Sequence, residues 1–525
     1  MIKQALYILL AFVFANTAYA QEFESNNLSI EIGEPNSTKK NSMAQLFVGD
    51  DNVFSRSYIK RKAHLVKYDE DLQVESTLLL YPEILPKKSY IERTIAFNGA
   101  IIIFYSILDK PNKTNNLYYT IIDQADMSTL ESGVSLMELE YTSKRNSGNF
   151  DISMSRDSSK LMIFANTPMA RSRNAKDEAQ VVVMNEEFEI LWDQVVTIAH
   201  ADRDFIIEQY KVDNDGNLFI VGRLYKQKSM RSKGKPGSTY KILASYDEGE
   251  SLEEIDVELS SNKFISEFDF LVTKAGNLIC TGLYSNESYG RAAGAFYLEI
   301  EAETLDYLVE QKEDFDLDFL TEGLTEKQTK KVKKKLDKGK SVEFANFKVR
   351  NIVQKADGGL VMVAEHHYVY TTTTTTTTAN GGTTTTTTTH YIYGDIILVS
   401  FSEEGEIEWT KTVPKYQYST NDGGYKSGFE LAVKGDKMHF YYVNWGKFAE
   451  DLEYDKQTDR DNYRALHFVH ETVDLDGELD AESMGTIEKR GLRPLPKKFV
   501  TLRNGQTIIY MVGKREYKLG IITPN

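Results

Sequence analysis

Phe205-Ile-Ile-Glu-Gln-Tyr-Lys-Val-Asp-Asn-Asp-Gly-Asn-Leu-Phe-Ile-Val-Gly222, followed by Tyr240-Lys-Ile-Leu-Ala-Ser-Tyr246, reads as an alternating strand, a Gly-containing turn, a more apolar strand, an excursion and a third strand. Period-two alternation marks a half-buried strand, and a short apolar run bounded by turn residues marks one buried on both faces. The next segment keeps the same order in Phe268-Asp-Phe-Leu-Val-Thr-Lys-Ala-Gly-Asn-Leu-Ile-Cys-Thr-Gly282 and Ala295-Phe-Tyr-Leu-Glu-Ile300. Later copies turn at Asp357-Gly358-Gly359, Gly435-Asp436 and Asn504-Gly505, and weaker early ones at Phe97-Asn-Gly99 and Ser155-Arg-Asp-Ser-Ser159. Eight third strands can be placed, beginning near His64, Tyr118, Gln180, Tyr240, Ala295, Asp395, Ala465 and Tyr517.

Four short strands per unit, recurring at roughly 40 to 80 residues, predict an all-β chain folded as a single β-propeller over 21–525. The count favours eight blades over seven, because the first unit (Gln45–Leu80) is compact and its limits are soft. Tandem β-sandwich domains are the competing fold, but no Pro/Gly/Ser linker divides the chain. The last unit stops after its third strand, Tyr517-Lys-Leu-Gly-Ile-Ile522, and Asn27-Leu-Ser-Ile-Glu-Ile-Gly33 is the candidate for the missing outer strand. One short helix is expected as an insertion at 325–339, with Thr325-Glu-Lys-Gln328 as a capping box and Gly339 as its stop.

Residues 1–20 read as a secretory signal peptide: Lys3 supplies the charge, Ala5 to Phe14 the apolar run and Ala18-Tyr-Ala20 the cleavage site. The apolar run is short for a bilayer, and no transmembrane span is expected elsewhere. Cys280, the single cysteine, sits in an apolar strand pattern, so it is read as a small buried hydrophobe with no disulfide partner. The formal charge of −16 becomes −17 without Lys3, which argues against general nucleic-acid affinity.

Tyr368-Val-Tyr-(Thr)8-Ala-Asn-Gly-Gly-(Thr)7-His-Tyr-Ile-Tyr393 is nearly a mirror of itself. Threonine favours extended backbone and Asn-Gly-Gly supplies a tight turn, so 368–393 is read as a protruding hairpin, with an unpaired threonine-rich loop as the alternative. Its expected contact residues are Thr371, Thr373, Thr375 and Thr377 on one arm and Thr384, Thr386 and Thr388 on the other. Tyr368, Tyr370, Tyr391 and Tyr393 are expected to anchor the root, ring against the blade and hydroxyl free for a partner.

In a propeller the second-to-third loops and the blade-to-blade loops share one face. The long excursions all fall in those classes: Pro168–Glu178, Tyr225–Thr239, the threonine hairpin, Gly446–Tyr463 and the lysine helix. Loops on a rigid scaffold are where binding concentrates, so this face is the expected functional one. Arg223, Lys226, Lys228, Arg231, Lys233, Lys235 and Lys241 form one acid-free basic stretch, and the helix adds Lys331 and Lys334 among six lysines. Such local positive density suits an anionic glycan, a lipid headgroup or an acidic protein; two separately solvated surfaces are the plainer reading.

No catalytic residue, metal site or cofactor emerges. Asp213-Asn-Asp-Gly-Asn217 and Asp474-Leu-Asp-Gly-Glu-Leu-Asp480 carry oxygens at calcium-like spacing, but neither completes the twelve-residue loop, and turns capped by their own Asx side chains account for them. His366, His367 and His390 flank the threonine arms, but neighbours on a strand face opposite sides, so at most one of the first two meets His390. No phosphate loop, nucleophile elbow or zinc-spaced set occurs, and carboxylate pairs drawn from different blades cannot be picked by spacing.

Asp395-Ile-Ile-Leu-Val-Ser-Phe-Ser-Glu-Glu-Gly-Glu-Ile-Glu-Trp-Thr-Lys-Thr-Val-Pro414, with the Tyr/Thr-rich hairpin before it, resembles uncharacterised secreted β-propeller-like proteins of Bacteroidota. The likeness covers most of the second half and fades toward residues 40–200. It implies a Gram-negative envelope setting, periplasmic or associated with the outer surface, and brings no catalytic residue. No C-terminal sorting domain is read, which favours retention over release. The expected function is a non-enzymatic binding or assembly module contacting an envelope protein or polysaccharide; the alternative is a glycan- or peptide-directed hydrolase acting at the propeller axis.

Overall fold

Among the described residues of the computed structural model, eight antiparallel sheets of four or more strands follow one another along the chain, with a two-stranded ladder of Arg291–Ala292 and Phe344–Ala345 beside the fifth and sixth. The structure describes residues 23–525 apart from 38–40, 51, 144–145, 167–175, 202–203, 226–237, 261–262, 287–289, 303, 322–325, 378–381, 447–464 and 489–490. Sheets 1 to 7 span 41–79, 90–140, 149–201, 205–257, 264–314, 347–420 and 429–487, each with its first four strands in chain order. Sheet 8 spans 493–524 and is completed by Leu28–Ile32 from the other end of the chain.

Burial explains the repeating composition. Second strands such as Leu278–Ser285 and Leu218–Tyr225 are mostly apolar and buried along most of their length, Arg223 included, because neighbouring sheets cover both their faces. Fourth strands such as Ile190–Ala201 alternate, with one face in solvent. The turns joining first to second strands take glycine where φ is left-handed, at Gly216 (φ +94°) and Gly358 (φ +95°).

Eight apolar clusters hold the sheets together, and each lies between two consecutive sheets. The cluster of Met43, Leu46, Val66 and Tyr68 with Ile508, Tyr510, Tyr517 and Leu519 joins sheet 1 to sheet 8. First strands of several neighbouring sheets touch, and ion pairs bridge some of them: Lys211 to Asp269 between sheets 4 and 5, and Lys348 to Glu267 at 2.6 Å between sheets 5 and 6. Outer strands are tied across as well. Trp409, the tryptophan of the Gly-x-Ile-x-Trp motif, donates its Nε1–H to the carbonyl of Leu475 in sheet 7 at 2.8 Å.

The N-terminal segment joins sheet 7 to sheet 8. Glu24 donates its amide to the carbonyl of Met484 at 2.8 Å, Asn26 donates to Glu482 Oε2 at 3.1 Å, and Phe23 meets Phe468 edge-on at 5.3 Å. Leu28–Ile32 then pairs with the last strand, Ser29 opposite Thr523 and Ile32 opposite Gly520. Between sheets 5 and 6 stand two helices, Leu317–Thr321 and Glu326–Leu336. The sequence reading has only the second. The first is five residues long, too short to show a helical period, and is held by Phe315 and Phe319 packing on Phe344. Gly339 (φ +64°) ends the lysine helix by donating to the carbonyl of Leu336, whereas the proposed capping box begins outside the described residues.

First strands carry bulges at equivalent places, leaving Glu92, Glu208, Ser266 and Arg350 as the extra residues of sheets 2, 4, 5 and 6. A bulge bends its strand and re-aims a side chain. In sheet 4 Gly222 faces the bulge, and a Cβ there would lie 2.1 Å from the Phe205 ring; in sheet 5 Gly282 stands opposite Phe268, two residues past the bulge, and a Cβ there would lie 2.2 Å from the Glu267 carbonyl.

Phe296, wholly buried between sheets 4 and 5, should cost about 3–5 kcal/mol when replaced by alanine. Val195→Ala, on an outer strand at 57% exposure, should stay within about 0.5 kcal/mol. Urea unfolding of both variants checks the inward and outward assignments.

Candidate functional site

The threonine arms pair along their described length. Second and third strands of sheet 6, Leu360–Thr377 and Thr383–Phe401, run on beyond the sheet, with Thr371 opposite Thr389 through to Thr377 opposite Thr383. Directly opposed residues share a face, so Thr371, Thr373, Thr375 and Thr377 stand with Thr383, Thr385, Thr387 and Thr389. The Thr373 and Thr387 hydroxyls are 3.4 Å apart, as are those of Thr375 and Thr385. Thr384, Thr386 and Thr388 therefore face the other way, with Thr372 and His390. The threonines named from sequence on the two arms therefore lie on opposite faces of the ribbon; uniform threonine carries no register information of its own.

At the root, aromatic rings stack on one another. Tyr370 lies 4.4 Å from His390 at 5°, and Tyr368 lies 5.4 Å from Tyr370. His390 bonds to Thr372 Oγ1 and to Tyr418 Oη, both at 2.8 Å, where the short strand Gln417–Thr420 pairs alongside. Tyr391 lies opposite Val369 and Ser419. Tyr393 is different: it is buried, and its hydroxyl accepts from Lys497 at 2.6 Å rather than reaching solvent.

Beneath the root lies a cavity of about 330 Å³, lined by residues of three sheets. Arg350 comes from the bulge in the first strand of sheet 6, Glu365 and His367 from its second strand, Tyr393 from its third. Phe429–Leu431 belongs to the first strand of sheet 7, and Lys497 to the short turn that interrupts the first strand of sheet 8. Glu365 is 2% exposed and sits between Lys415 Nζ at 2.8 Å on Oε1 and Arg350 at 2.9 Å on Oε2. Burial works to raise its carboxyl, but Lys415 and Arg350 outweigh that and hold it below the ordinary range. Desolvation pushes His367 down to about 4, so its ring is neutral at neutral pH; its Nε2 is buried without a hydrogen-bond partner. Glu430 has no cation to offset burial, and its carboxyl is pushed up to about 7, with Thr501 Oγ1 donating to it at 2.9 Å.

The sequence reading names His366, His367 and His390 but not Arg350, Glu365, Lys415, Glu430 or Lys497. One signal was present: Glu365 ends the wholly apolar run Leu360-Val-Met-Val-Ala, where an acid has to be paired. His390 stacks on Tyr370 while His367 lies 4.5 Å from Tyr393, and no group of three metal-ligating residues occurs among the described residues. Asp213 Oδ1 accepts from the amides of Asp215 and Asn217, and Asp474 Oδ1 from those of Asp476 and Glu478, the self-capped turns expected at both places.

Two members of the basic stretch are described, and both are paired with acids. Arg223 is 1% exposed and ion-paired with Glu208 at 3.0 Å, and Lys241 pairs with Glu254 and Asp256. Arg231, Lys233 and Lys235, with Lys226 and Lys228, lie outside the described residues. Lys331 and Lys334 are exposed on the helix.

No protein-family model matches this sequence, and no curated protein does. Among solved structures the chain is similar to prolyl oligopeptidase B from Galerina marginata, at 9% identity and TM-score 0.40, over 90% of this chain and 55% of that one. It is similar to the WD40 domain of SCAP from fission yeast at 9% identity and TM-score 0.40, over 96% and 98% of the two chains. A third likeness is to the NanB sialidase from Streptococcus pneumoniae, at 9% identity and TM-score 0.31, over 96% and 94%. The chain spans about half the length of the peptidase.

Glu430 makes stability depend on pH with a definite sign. Its folded value is above its unfolded one, so its contribution is full below about 4.5 and is lost as pH rises through about 7. Glu430→Gln should remove that loss, gaining on wild type by on the order of 1–3 kcal/mol between acidic and mildly alkaline buffer. Urea midpoints of both proteins across that range read the difference directly.

Proposed function

We propose that this chain is an eight-bladed β-propeller serving as a non-catalytic binding or assembly module of a bacterial cell envelope, with the threonine hairpin as its contact element. The eight clusters between successive sheets, the last joining sheet 8 to sheet 1, support the ring. Export through the signal at 1–20, to the periplasm or the outer surface, is part of the same proposal. No helix among the described residues is long and apolar enough to cross a membrane.

The observation that carries this reading is the exposed ribbon itself, seven Thr–Thr pairs standing clear of sheet 6 on a stacked aromatic root. A two-stranded ribbon is marginal in water, so a surface that covers one face or adds a strand to its edge gains free energy the ribbon alone lacks. Its face presents methyl and hydroxyl groups in a regular row, which suits a β-strand of an envelope protein or the repeating hydroxyls of a polysaccharide. Lys331 and Lys334, on the helix in the connection between sheets 5 and 6, offer charge to an anionic glycan or a lipid headgroup.

A glycan- or peptide-directed hydrolase is the second reading. What favours it is a carboxyl near neutrality, Glu430, in one cavity with Glu365. Against it, both oxygens of Glu365 are engaged by Lys415 and Arg350, which suits a buried ion-pair centre rather than a nucleophile or base.

Replacing residues 372–388 by Asn-Gly removes the Thr372 hydroxyl from His390 but keeps the stacked rings of the root and the sheet below, so thermal stability should stay close to wild type. Retention of the shortened protein on purified envelope polysaccharide, or on fractionated envelope proteins, should fall by about tenfold or more. Equal retention of both proteins on every fraction would mean the hairpin is not the contact element.

A further inference from the structure

The hairpin leaves the cavity beneath it unexplained. Three cations surround that space: Arg350 and Lys497 line it, and Lys415 lies behind Glu365. Glu365 is shared by two of them, so one carboxylate answers Arg350 and Lys415 together. Lys497 makes no ion pair among the described residues; its ammonium donates to Tyr393 Oη at 2.6 Å and to the Gly424 carbonyl at 2.9 Å, and lies 4.1 Å from the Tyr393 ring centre. Asp422, which also acts on it, already accepts from Ser419 and from the amide of Gly424.

The remaining capacity of these groups points at an anion. A guanidinium has five donors, and only Nε and one terminal nitrogen of Arg350 are on Glu365. An ammonium has three, and Lys497 uses two. His367 Nε2 is buried with no partner, a position that a native fold leaves open only at a cost. Phe429 and Tyr393 supply ring surface on the walls. Burial pushes the Glu430 carboxyl up to about 7, so its opposing charge is partial at neutral pH and falls away as pH drops below that value.

We infer that this cavity, where Arg350, His367 and Lys497 converge beside the rings of Phe429 and Tyr393, is a binding site for a small ligand carrying a carboxylate. At about 330 Å³ it holds one sugar acid or the carboxy-terminal residue pair of a peptide, at the small end of ligand sites in general. A carboxylate takes a charge-assisted bond from Arg350 and another from Lys497, while His367 in its Nε2–H tautomer supplies a neutral third. The site does not rest on the hairpin reading, because every lining residue lies outside 371–389.

Calorimetric titration of the full-length mature protein at neutral pH tests this with two matched pairs: glucuronate against methyl glucoside, and N-acetyl-dialanine against its amide. At least one carboxylate should bind while its uncharged counterpart does not, and which one binds identifies the source. Lys497→Met should weaken that binding by about tenfold, and the protein with 372–388 replaced should keep it. In wild type the ¹⁵N resonance of His367 Nε2 should shift on saturation, a readout independent of whether any variant folds. Absence of binding by both carboxylates up to on the order of 10 mM, equal binding of the neutral partners, or an unmoved His367 signal would each overturn the assignment.

Discussion

Pairing of Leu28–Ile32 with Glu516–Pro524 is the interaction on which the rest depends. A linear row of sheets would end in two uncovered apolar faces, one on sheet 1 and one on sheet 8. Here Met43, Leu46 and Val66 of sheet 1 are buried against Tyr510 and Leu519 of sheet 8, so neither face meets water. The strand that completes sheet 8 comes from the opposite end of the chain, and Phe23 and Leu28 extend it into the cluster shared by sheets 7 and 8. Opening that pairing removes the outer edge of sheet 8 and part of the core it shares with sheet 7. Closure thus stabilises the final sheet through both its backbone ladder and its packing.

The ring proposed above would also account for long connections between strands, because a connection that carries no share of the sheet ladders lengthens at little cost to the core. Sheet 6 uses this most fully: its middle strands leave the sheet as the threonine ribbon, while the bulge at Arg350 and the register shift between Glu365 and His367 turn polar groups toward the cavity below. The same sheet therefore presents an exposed ladder and a polar cavity near its root.

Strand and turn positions were legible because each uses local signals: alternation, apolar runs and glycines at left-handed φ. His64, Tyr118 and Tyr517 all fall within third strands of the structure. The cavity was not legible. Arg350, Glu430 and Lys497 come from different sheets, and the bulge that re-aims Arg350 leaves no mark in composition. The pairing of the threonine faces was equally hidden, since a one-residue slip in a uniform run changes which hydroxyls share a face without changing the sequence. Local charge was misleading at Arg223 and Lys241, whose partners Glu208, Glu254 and Asp256 lie close in the fold and pair with them inside sheet 4.

Hydrogen exchange of the amides in Leu28–Ile32 tests ring closure most directly. If that strand shuts the ring, its hydrogen-bonded amides exchange only with global unfolding, at the same free energy as those of Thr507–Val512 in the centre of sheet 8. Exchange of Leu28–Ile32 at near random-coil rates, while Thr507–Val512 stays protected, would contradict the account.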